Sequence, residues 1–165
     1  MIERYSRKEL KDIWSEENKY KIWLEVEIAA AEAMEKFKII PKGVSSIVKK
    51  KGKIKVKRIH DIEAKVKHDV IAFLTSITEQ AGIKARYLHQ GMTSSDVLDT
   101  SFNIQLMQSG KIILKDIDKI LIVLKRQAKK YKMTPCIGRS HGIHAEPITF
   151  GLKLASFYEE FKRNK

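Results

Sequence analysis

One eight-residue segment combines an imidazole, hydroxyls and a carboxylate directly before a long helical pattern: residues 89–96, His-Gln-Gly-Met-Thr-Ser-Ser-Asp. Thr, Ser and Asp are preferred capping residues at a helix start, so a cap is one interpretation. The other is an anion site. Free N–H groups at a helix start, with hydroxyls beside them and a glycine that allows close approach, bind carboxylate or phosphate. Spacing alone supports both interpretations equally.

A second polar segment lies at residues 138–147, Gly-Arg-Ser-His-Gly-Ile-His-Ala-Glu-Pro. A histidine poised for proton transfer beside Arg139, which would hold an anionic substrate, is one chemical interpretation. His141 and His144 could also bind a metal together, but no third ligand stands at matching spacing, so no metal site is predicted. Histidines in purely structural hydrogen bonds remain the alternative. Because glycines and a proline bound the segment, we expect a loop.

A third segment, Lys67-His68-Asp69, lies between Val66 and Val70 in an apolar helical pattern. A histidine inside a helix beside charged neighbours is more often structural than catalytic. No Gly-rich phosphate loop, nucleophile elbow or cysteine nucleophile with partner residues stands in the sequence. This pattern argues against a P-loop enzyme and against a serine hydrolase.

The elements that position these segments are predicted to be helices. Three prolines and eight glycines in 165 residues, with long stretches of helix formers between them, predict an all-α protein with few or no strands. Ser6 and Glu9 have the spacing of a capping box. They predict a short helix from about Arg7 to Trp14.

Two longer helices follow. Ser15 predicts the start of the first, which we expect to end at Pro41 and Gly43. An apolar stripe over residues 59–77 predicts the second, with Gly82 as its C-terminal cap.

The pattern over residues 94–132 predicts the longest helix, with Gly110 as its weak point. Unbroken, it would span roughly 57 Å. A compact globule of this size is only about 40 Å across, so part of the apolar stripe lacks partners within the chain. We therefore expect an oligomer or a shortened chain. A final helix after Pro147, with no terminal cap before Lys165, also predicts truncation.

The charge balance concerns partners rather than fold. Thirty-three Lys and Arg against twenty Asp and Glu leave +13. The densest stretch, residues 49–58, holds seven basic residues in ten and is predicted to be a solvated connector. No aromatic residue interleaves with it, which weakens a base-stacking interpretation. A basic helical nucleic-acid-binding module remains the alternative to an enzyme that captures an anionic metabolite.

The compartment is predicted from cysteine use and apolar runs. The single cysteine, Cys136, excludes an internal disulfide framework and a cysteine-rich zinc module. The chain start lacks the apolar core of a signal peptide, and no apolar run reaches membrane length. We expect a soluble, cytoplasmic protein.

Four segments together resemble the N-terminal part of the adenylosuccinate lyase family, in the fumarase and aspartase superfamily. They stand in the family's order and approximate spacing, and the resemblance spans essentially the whole chain. Ser140 stands where most members have threonine, which is a conservative change. The four segments are Arg4-Tyr5-Ser6, Lys67-His68-Asp69-Val70, residues 90–97 (QGMTSSDV) and residues 138–147 (GRSHGIHAEP).

The resemblance implies a fold and an activity. It implies a small N-terminal helical domain, residues 1–111, followed by the start of a long-helix bundle domain of the fumarase and aspartase type, residues 112–165. The family eliminates fumarate from adenylosuccinate to give AMP, and from the succinyl-carboxamide ribotide intermediate of purine biosynthesis, without a cofactor. The implied partner is this small-molecule substrate, with no nucleic acid and no membrane.

The resemblance also assigns roles. His141 matches the family's proton donor, and Thr93 and Ser94 match positions that hold the succinyl carboxylates. His89 is expected near the site. Five further residues match substrate contacts: Arg4 and Tyr5 at the phosphate and nucleotide, and Lys67, His68 and Asp69 in a further binding segment.

Assembly and completeness follow from the same resemblance. Family members are homotetramers in which helices from several subunits form a central bundle and each active site draws on three chains. The family's signature loop, which carries the catalytic serine, is absent from these 165 residues. The resemblance therefore predicts that this chain alone is inactive. A domain that merely dimerises through its long helix remains compatible with the sequence.

Overall fold

A computed structural model describes residues 2–165, and these residues are largely helical, which confirms the predicted all-α class. The one sheet among them is a two-stranded antiparallel hairpin. No helix in the described part of the chain is long and apolar enough to cross a membrane. The helices are α1 Lys8–Ile13, α2 Glu16–Lys36, α3 Val44–Lys51, α4 Val56–Val66, α5 Asp69–Ala81, α6 Ser94–Lys130 and α7 Phe150–Asn164, and the strands are β1 Pro135–Ser140 and β2 Ile143–Thr149.

The chain divides into two compact units, one up to Ser109 and one from Gly110. In the first unit, three aromatic rings from α2 and α5 form the centre of the core. The rings of Tyr20 and Trp23 meet edge to face at 5.2 Å, and Phe73 stacks on Tyr20 at 6.0 Å. All three side chains are buried. Burial of each is worth roughly 1.5–3 kcal/mol, and it raises the pKa of the Tyr20 hydroxyl to about 12.

The predicted helix starts are correct in one case and wrong in another. The Ser15 hydroxyl accepts a hydrogen bond from the Asn18 N–H at 3.2 Å, so Ser15 caps α2 as predicted. The prediction of a capping box at Ser6 is wrong. The helix α1 begins after Arg7 without a side-chain cap, and the Ser6 hydroxyl donates to the Ile2 carbonyl at 2.8 Å.

The end of α2 also differs from the prediction. The helix stops at Lys36, before the predicted end at Pro41 and Gly43. Glu35 explains how the following turn is held, because its carboxylate accepts from the N–H groups of Gly43 at 3.2 Å and Ser45 at 2.6 Å. These hydrogen bonds cap the start of α3. Because they stabilise the ionised carboxylate, they also lower the pKa of Glu35.

The apolar stripe over residues 59–77 belongs to two helices, so the prediction of a single helix is wrong. Lys67 ends α4 with a left-handed backbone, φ 56°, and His68 precedes α5 in an extended conformation. The backbone therefore turns between the two helices at the third candidate segment.

The basic residues of the stretch 49–58 are exposed to solvent, as predicted, but the stretch is mostly helical and not a connector outside the helices. It covers the end of α3, the turn 52–55 and the start of α4. Two of its charges are paired, Lys49 with Glu32 and Arg58 with Glu79. Exposed pairs of this kind contribute little to stability, because water and salt screen them.

The second unit holds the C-terminal half of α6, the hairpin and α7. Gly110 does not break α6, which is assigned as one helix. The loop predicted at residues 138–147 is instead most of the β-hairpin. Backbone bonds join its base to α7, because Phe150 N–H donates to the Thr134 carbonyl at 2.8 Å and Gly151 N–H to the Tyr131 carbonyl at 2.9 Å.

Candidate active site

The segment before α6 is a tight turn that leads into the helix start. His89 and Gly91 both have left-handed backbones, with φ 62° and 70°. The Met92 N–H donates to the His89 carbonyl at 3.3 Å and closes the turn. A glycine adopts this conformation freely, whereas a histidine pays for it.

The start of α6 fits both interpretations of the sequence in part. The Thr93 N–H donates to the Asp96 carboxylate at 2.8 Å, which is one half of a capping box. The first turn keeps other donors, because no acceptor among the described residues meets the N–H groups of Ser94 or Ser95. Thr93 is exposed and Ser94 half-buried. The arrangement caps the helix and leaves N–H groups and hydroxyls for an anion.

One carboxylate behind this segment was missed from the sequence. The side chain of Glu27, on α2, is fully buried at 0% exposure and accepts two hydrogen bonds from His89. The available signal was its spacing, since Glu27 stands four residues after Trp23, on the face where an apolar residue is expected.

The segment at Lys67 and His68 lies between helices rather than inside one, which corrects the sequence prediction. The His68 Nδ1 accepts from the Ile71 N–H at 3.4 Å and caps α5. Asp69 accepts its neighbour's N–H, that of Val70, at 2.7 Å. Both side chains remain accessible, at 48% for His68 and 41% for Asp69. Because the chain turns between α4 and α5, the polar side chains of this segment lie accessible at the helix ends and not along the side of one continuous helix.

Arg4 and Tyr5 lie in a short 3-10 turn, residues 3–5. The Arg4 guanidinium lies over the Tyr5 ring, 4.7 Å from its centre. Both side chains are exposed. A cation stacked on an aromatic ring offers a charged edge to phosphate and an apolar face to a base.

His141 lies at the tip of the hairpin. His141 and Gly142 are the two turn residues, with φ 53° and 79°, as a two-residue type I′ turn requires. Behind the tip, Arg139 pairs directly with His144 across the strands. The hairpin therefore presents His141 at the tip, with Ser140 and Ile143 as the first pair behind it and Arg139 and His144 as the second. His141, Arg139 and His144 are all exposed.

Glycine at position 138 is required by the hairpin's own backbone. The register shifts between Ile137 and Arg139, and a Cβ on Gly138 would lie 2.7 Å from the Glu146 carbonyl oxygen. A bulge at this point re-aims the residues that follow it. In the described residues, no group of three metal-ligating side chains comes together.

The candidate residues are thus distributed over both units. Arg4, Tyr5, Lys67, His68, Asp69, Thr93 and Ser94 belong to the first, and His141 belongs to the second. Across the described part of the chain, no hydrogen bond or ion pair joins the three segments of the first unit to one another. Each segment is held by its own local bonds.

Comparisons with known proteins agree with the family that the four sequence segments resemble. A family profile described as lyase matches residues 3–165. The chain is 48% identical over 164 residues to the adenylosuccinate lyase of Thermotoga maritima, and 45% identical to that of Bacillus subtilis. In each case 99% of this chain is covered, and it spans 38% of the relative's length.

Solved structures share the fold. A fumarate lyase from Mesorhizobium sp. BNC1 superposes with a TM-score of 0.87 at 27% identity, over 93% of this chain and 37% of that one. The β-carboxy-cis,cis-muconate cycloisomerase of Acinetobacter calcoaceticus gives 0.85 at 25% identity, over 95% and 38% of the two chains.

Proposed function

The chain belongs to the lyase family, and on that premise we propose that the protein it forms part of is an adenylosuccinate lyase. The observation that carries the proposal is 48% identity over 99% of the chain to a relative of that name. The family resemblance is confirmed by these comparisons. The reaction is elimination of fumarate from adenylosuccinate to give AMP, and the same cleavage of the succinyl-carboxamide ribotide in purine biosynthesis.

The chemistry requires one base and one acid. A base removes a proton from the succinyl carbon next to a carboxylate, the C–N bond breaks, and an acid protonates the departing nitrogen. His141 is the proposed acid. Its place at the tip of a two-residue turn supports this role, because the ring is exposed and its backbone is fixed by the strand register. No cofactor takes part in the proposed elimination.

Thr93 and Ser94 are the proposed ligands of the succinyl carboxylates. The N–H groups and hydroxyls at the start of α6 support this assignment, since charge that builds on a carboxylate during proton removal is stabilised by donors already in place. Asp96 takes the Thr93 N–H at 2.8 Å and orients that residue. The helix dipole favours the same charge.

Arg4 and Tyr5 are the proposed contacts to the phosphate and nucleotide, and Lys67, His68 and Asp69 form the proposed further binding segment. Exposure of the stacked Arg4 and Tyr5 supports the first assignment. The break between α4 and α5 supports the second, because it frees the side chains of His68 and Asp69 from a continuous helix.

We further propose that the protein is a cytoplasmic homotetramer, with residues 1–111 as the N-terminal domain and 112–165 as the beginning of the bundle domain. The division between Ser109 and Gly110 supports the boundary. Apolar side chains left exposed on the C-terminal half of α6 support helix packing between subunits. They are Ile113, Leu114, Ile120, Ile122 and Val123.

The nucleic-acid-binding alternative has no support in the comparisons. In the basic stretch that motivated this alternative, Lys49 and Arg58 form ion pairs with Glu32 and Glu79. The excess of positive charge fits attraction of a multiply anionic substrate equally well.

The test is direct. A full-length protein that carries this chain is incubated with adenylosuccinate, and fumarate and AMP are measured together. One fumarate for each AMP is expected. Absence of both products would end the lyase proposal, and AMP without fumarate would point to a different reaction.

A further inference from the structure

Glu27 is a carboxylate inside the core of the first unit. Its side chain is completely buried on a helix face that also carries Trp23 and Ile28. A buried charge is costly unless hydrogen bonds satisfy it. Both bonds come from His89, whose backbone N–H donates to Oε2 at 2.8 Å and whose ring Nδ1 lies 2.6 Å from Oε1. Each carboxylate oxygen of Glu27 is therefore engaged by this one residue.

The backbone of His89 is held in an unfavourable conformation. Its φ of 62° costs roughly 1–2 kcal/mol for a residue with a Cβ. Such conformations persist where the surroundings impose them, and they cluster at functional sites. Here the bond from the His89 N–H to Glu27 imposes it, and the bond from Met92 to the His89 carbonyl closes the turn. The strained residue thus lies in the turn directly before Thr93.

The pair also decides which ring nitrogen of His89 is free. An ionised carboxylate accepts hydrogen bonds and cannot donate one, so Nδ1 carries the hydrogen. No described residue hydrogen-bonds to Nε2, and the side chain is 17% exposed. With Nδ1 held by Glu27, Nε2 accepts a hydrogen bond when the ring is neutral and donates one when it is protonated.

We propose that Glu27 is a positioning residue that acts through His89. It fixes the protonated ring so that Nδ1–H donates to Glu27 and Nε2–H donates to an anionic oxygen of the substrate, while the bond to the backbone holds the turn before Thr93 and Ser94. The proposal rests on the proposed function, because it places the substrate at the start of α6. The anionic oxygen belongs either to the phosphate or to a carboxylate, and the two product halves of the substrate distinguish these sources.

Glu27→Gln tests the ring orientation without removing the backbone bond. The amide has nearly the same volume, and its oxygen can still accept the His89 N–H. Its NH₂ group faces Nδ1, however, and forces the hydrogen onto Nε2. ¹⁵N NMR of the full-length protein, at a pH where the ring is neutral, should show hydrogen on Nδ1 in the parent and on Nε2 in the variant.

Binding of AMP and of fumarate to the full-length protein, measured by calorimetry, shows the consequence. Glu27→Gln should weaken one of the two ligands by about 10- to 100-fold, because its NH₂ group cannot accept the Nδ1–H of the protonated ring that donates to the ligand. AMP is the affected ligand if Nε2 contacts the phosphate, and fumarate if it contacts a carboxylate. Glu25→Gln, an exposed carboxylate on the same helix, is the matched control and should change neither.

A double-mutant cycle separates positioning from stability. In a His89→Ala background, Glu27→Gln should have no further effect on ligand affinity, because the ring through which it acts is gone. An equal loss in that background would show a purely structural role and overturn the proposal. Unchanged affinity for both ligands in the single variant would overturn it too.

The same cycle keeps the two proposals apart. If the parent forms no fumarate from adenylosuccinate yet loses AMP or fumarate affinity through Glu27 and His89 as described, the lyase function fails and the positioning role stands. If the parent turns over normally and the single variant binds and turns over as the parent does, the positioning role fails alone. A parent that binds neither ligand contradicts both.

Discussion

A methyl group added at Gly151 is expected to lower the stability of the second unit. A Cβ there would lie 2.5 Å from the Ala128 carbonyl oxygen and 2.6 and 2.7 Å from the Lys132 Cα and N atoms. Contacts of about 3.4 Å are ordinary, so the overlap is close to 0.9 Å against backbone that has no rotamer to change. Gly151→Ala must therefore push the first turn of α7 away from the end of α6.

The expected cost is the upper part of the overpacking range, about 2–3 kcal/mol or more. For a domain of this size that corresponds to a fall in Tm of roughly 5–10 °C. Because the Gly151 and Phe150 N–H groups anchor the base of the hairpin, turnover by the full-length protein should fall as well. Thermal unfolding by circular dichroism and a fumarate assay measure the two effects.

Gly110→Ala is the matched control. A Cβ at Gly110 meets nothing within 4 Å, and the residue is in a helix interior. Alanine should raise stability there by about 0.5–1 kcal/mol. If Gly151→Ala left Tm within about 1 °C of the parent while Gly110→Ala raised it, the close packing between α7 and the end of α6 would be wrong.

Two further predictions concern the first unit. Glu35→Gln should lower stability at pH 7 by at most about 1 kcal/mol, since the charge caps α3 through Gly43 and Ser45. The folded-state pKa of Glu35 is lowered, so its contribution is present above the unfolded pKa and lost as the pH falls through the folded one. Urea unfolding should therefore show a difference at pH 7 that shrinks in acid, and a constant difference would contradict the cap. Thr93→Val should raise KM for adenylosuccinate about 10-fold or more, the loss of a hydrogen bond to a charged group, and an unchanged KM would remove Thr93 from the carboxylate site.

The helices were predictable where a local signal matched the backbone. Ser15 has both the capping side chain and acidic residues in the turn that follows, and it starts α2. Ser6 has the right spacing to Glu9, but α1 begins only after Arg7, and the Ser6 hydroxyl donates to the Ile2 carbonyl. A capping pattern shows that a side chain is able to cap a helix, but it does not fix the residue at which the helix begins.

Two features of the candidate site could not be found from local pattern. Lys67 takes a left-handed backbone although lysine carries no turn signal, so the stripe across α4 and α5 looked continuous. The hairpin has a His-Gly turn flanked by strands of six and seven residues that are rich in polar side chains, which hides the alternation of a half-buried strand.

Glu27 shows why the last part of a site depends on tertiary structure. Its partly buried partner, His89, is 62 residues away, and nothing in the neighbouring sequence indicates it. The order of the four segments, by contrast, indicated the family from the sequence alone, and the comparisons agree. The roles of the individual residues remain predictions.

We propose that His141 donates a proton to the leaving nitrogen of adenylosuccinate. The most direct test of this role is His141→Ala in the full-length protein. With folding verified by circular dichroism, the account predicts that kcat for fumarate formation falls by about 10²–10⁴ while KM changes little. A variant that keeps kcat within twofold of the parent would contradict the account.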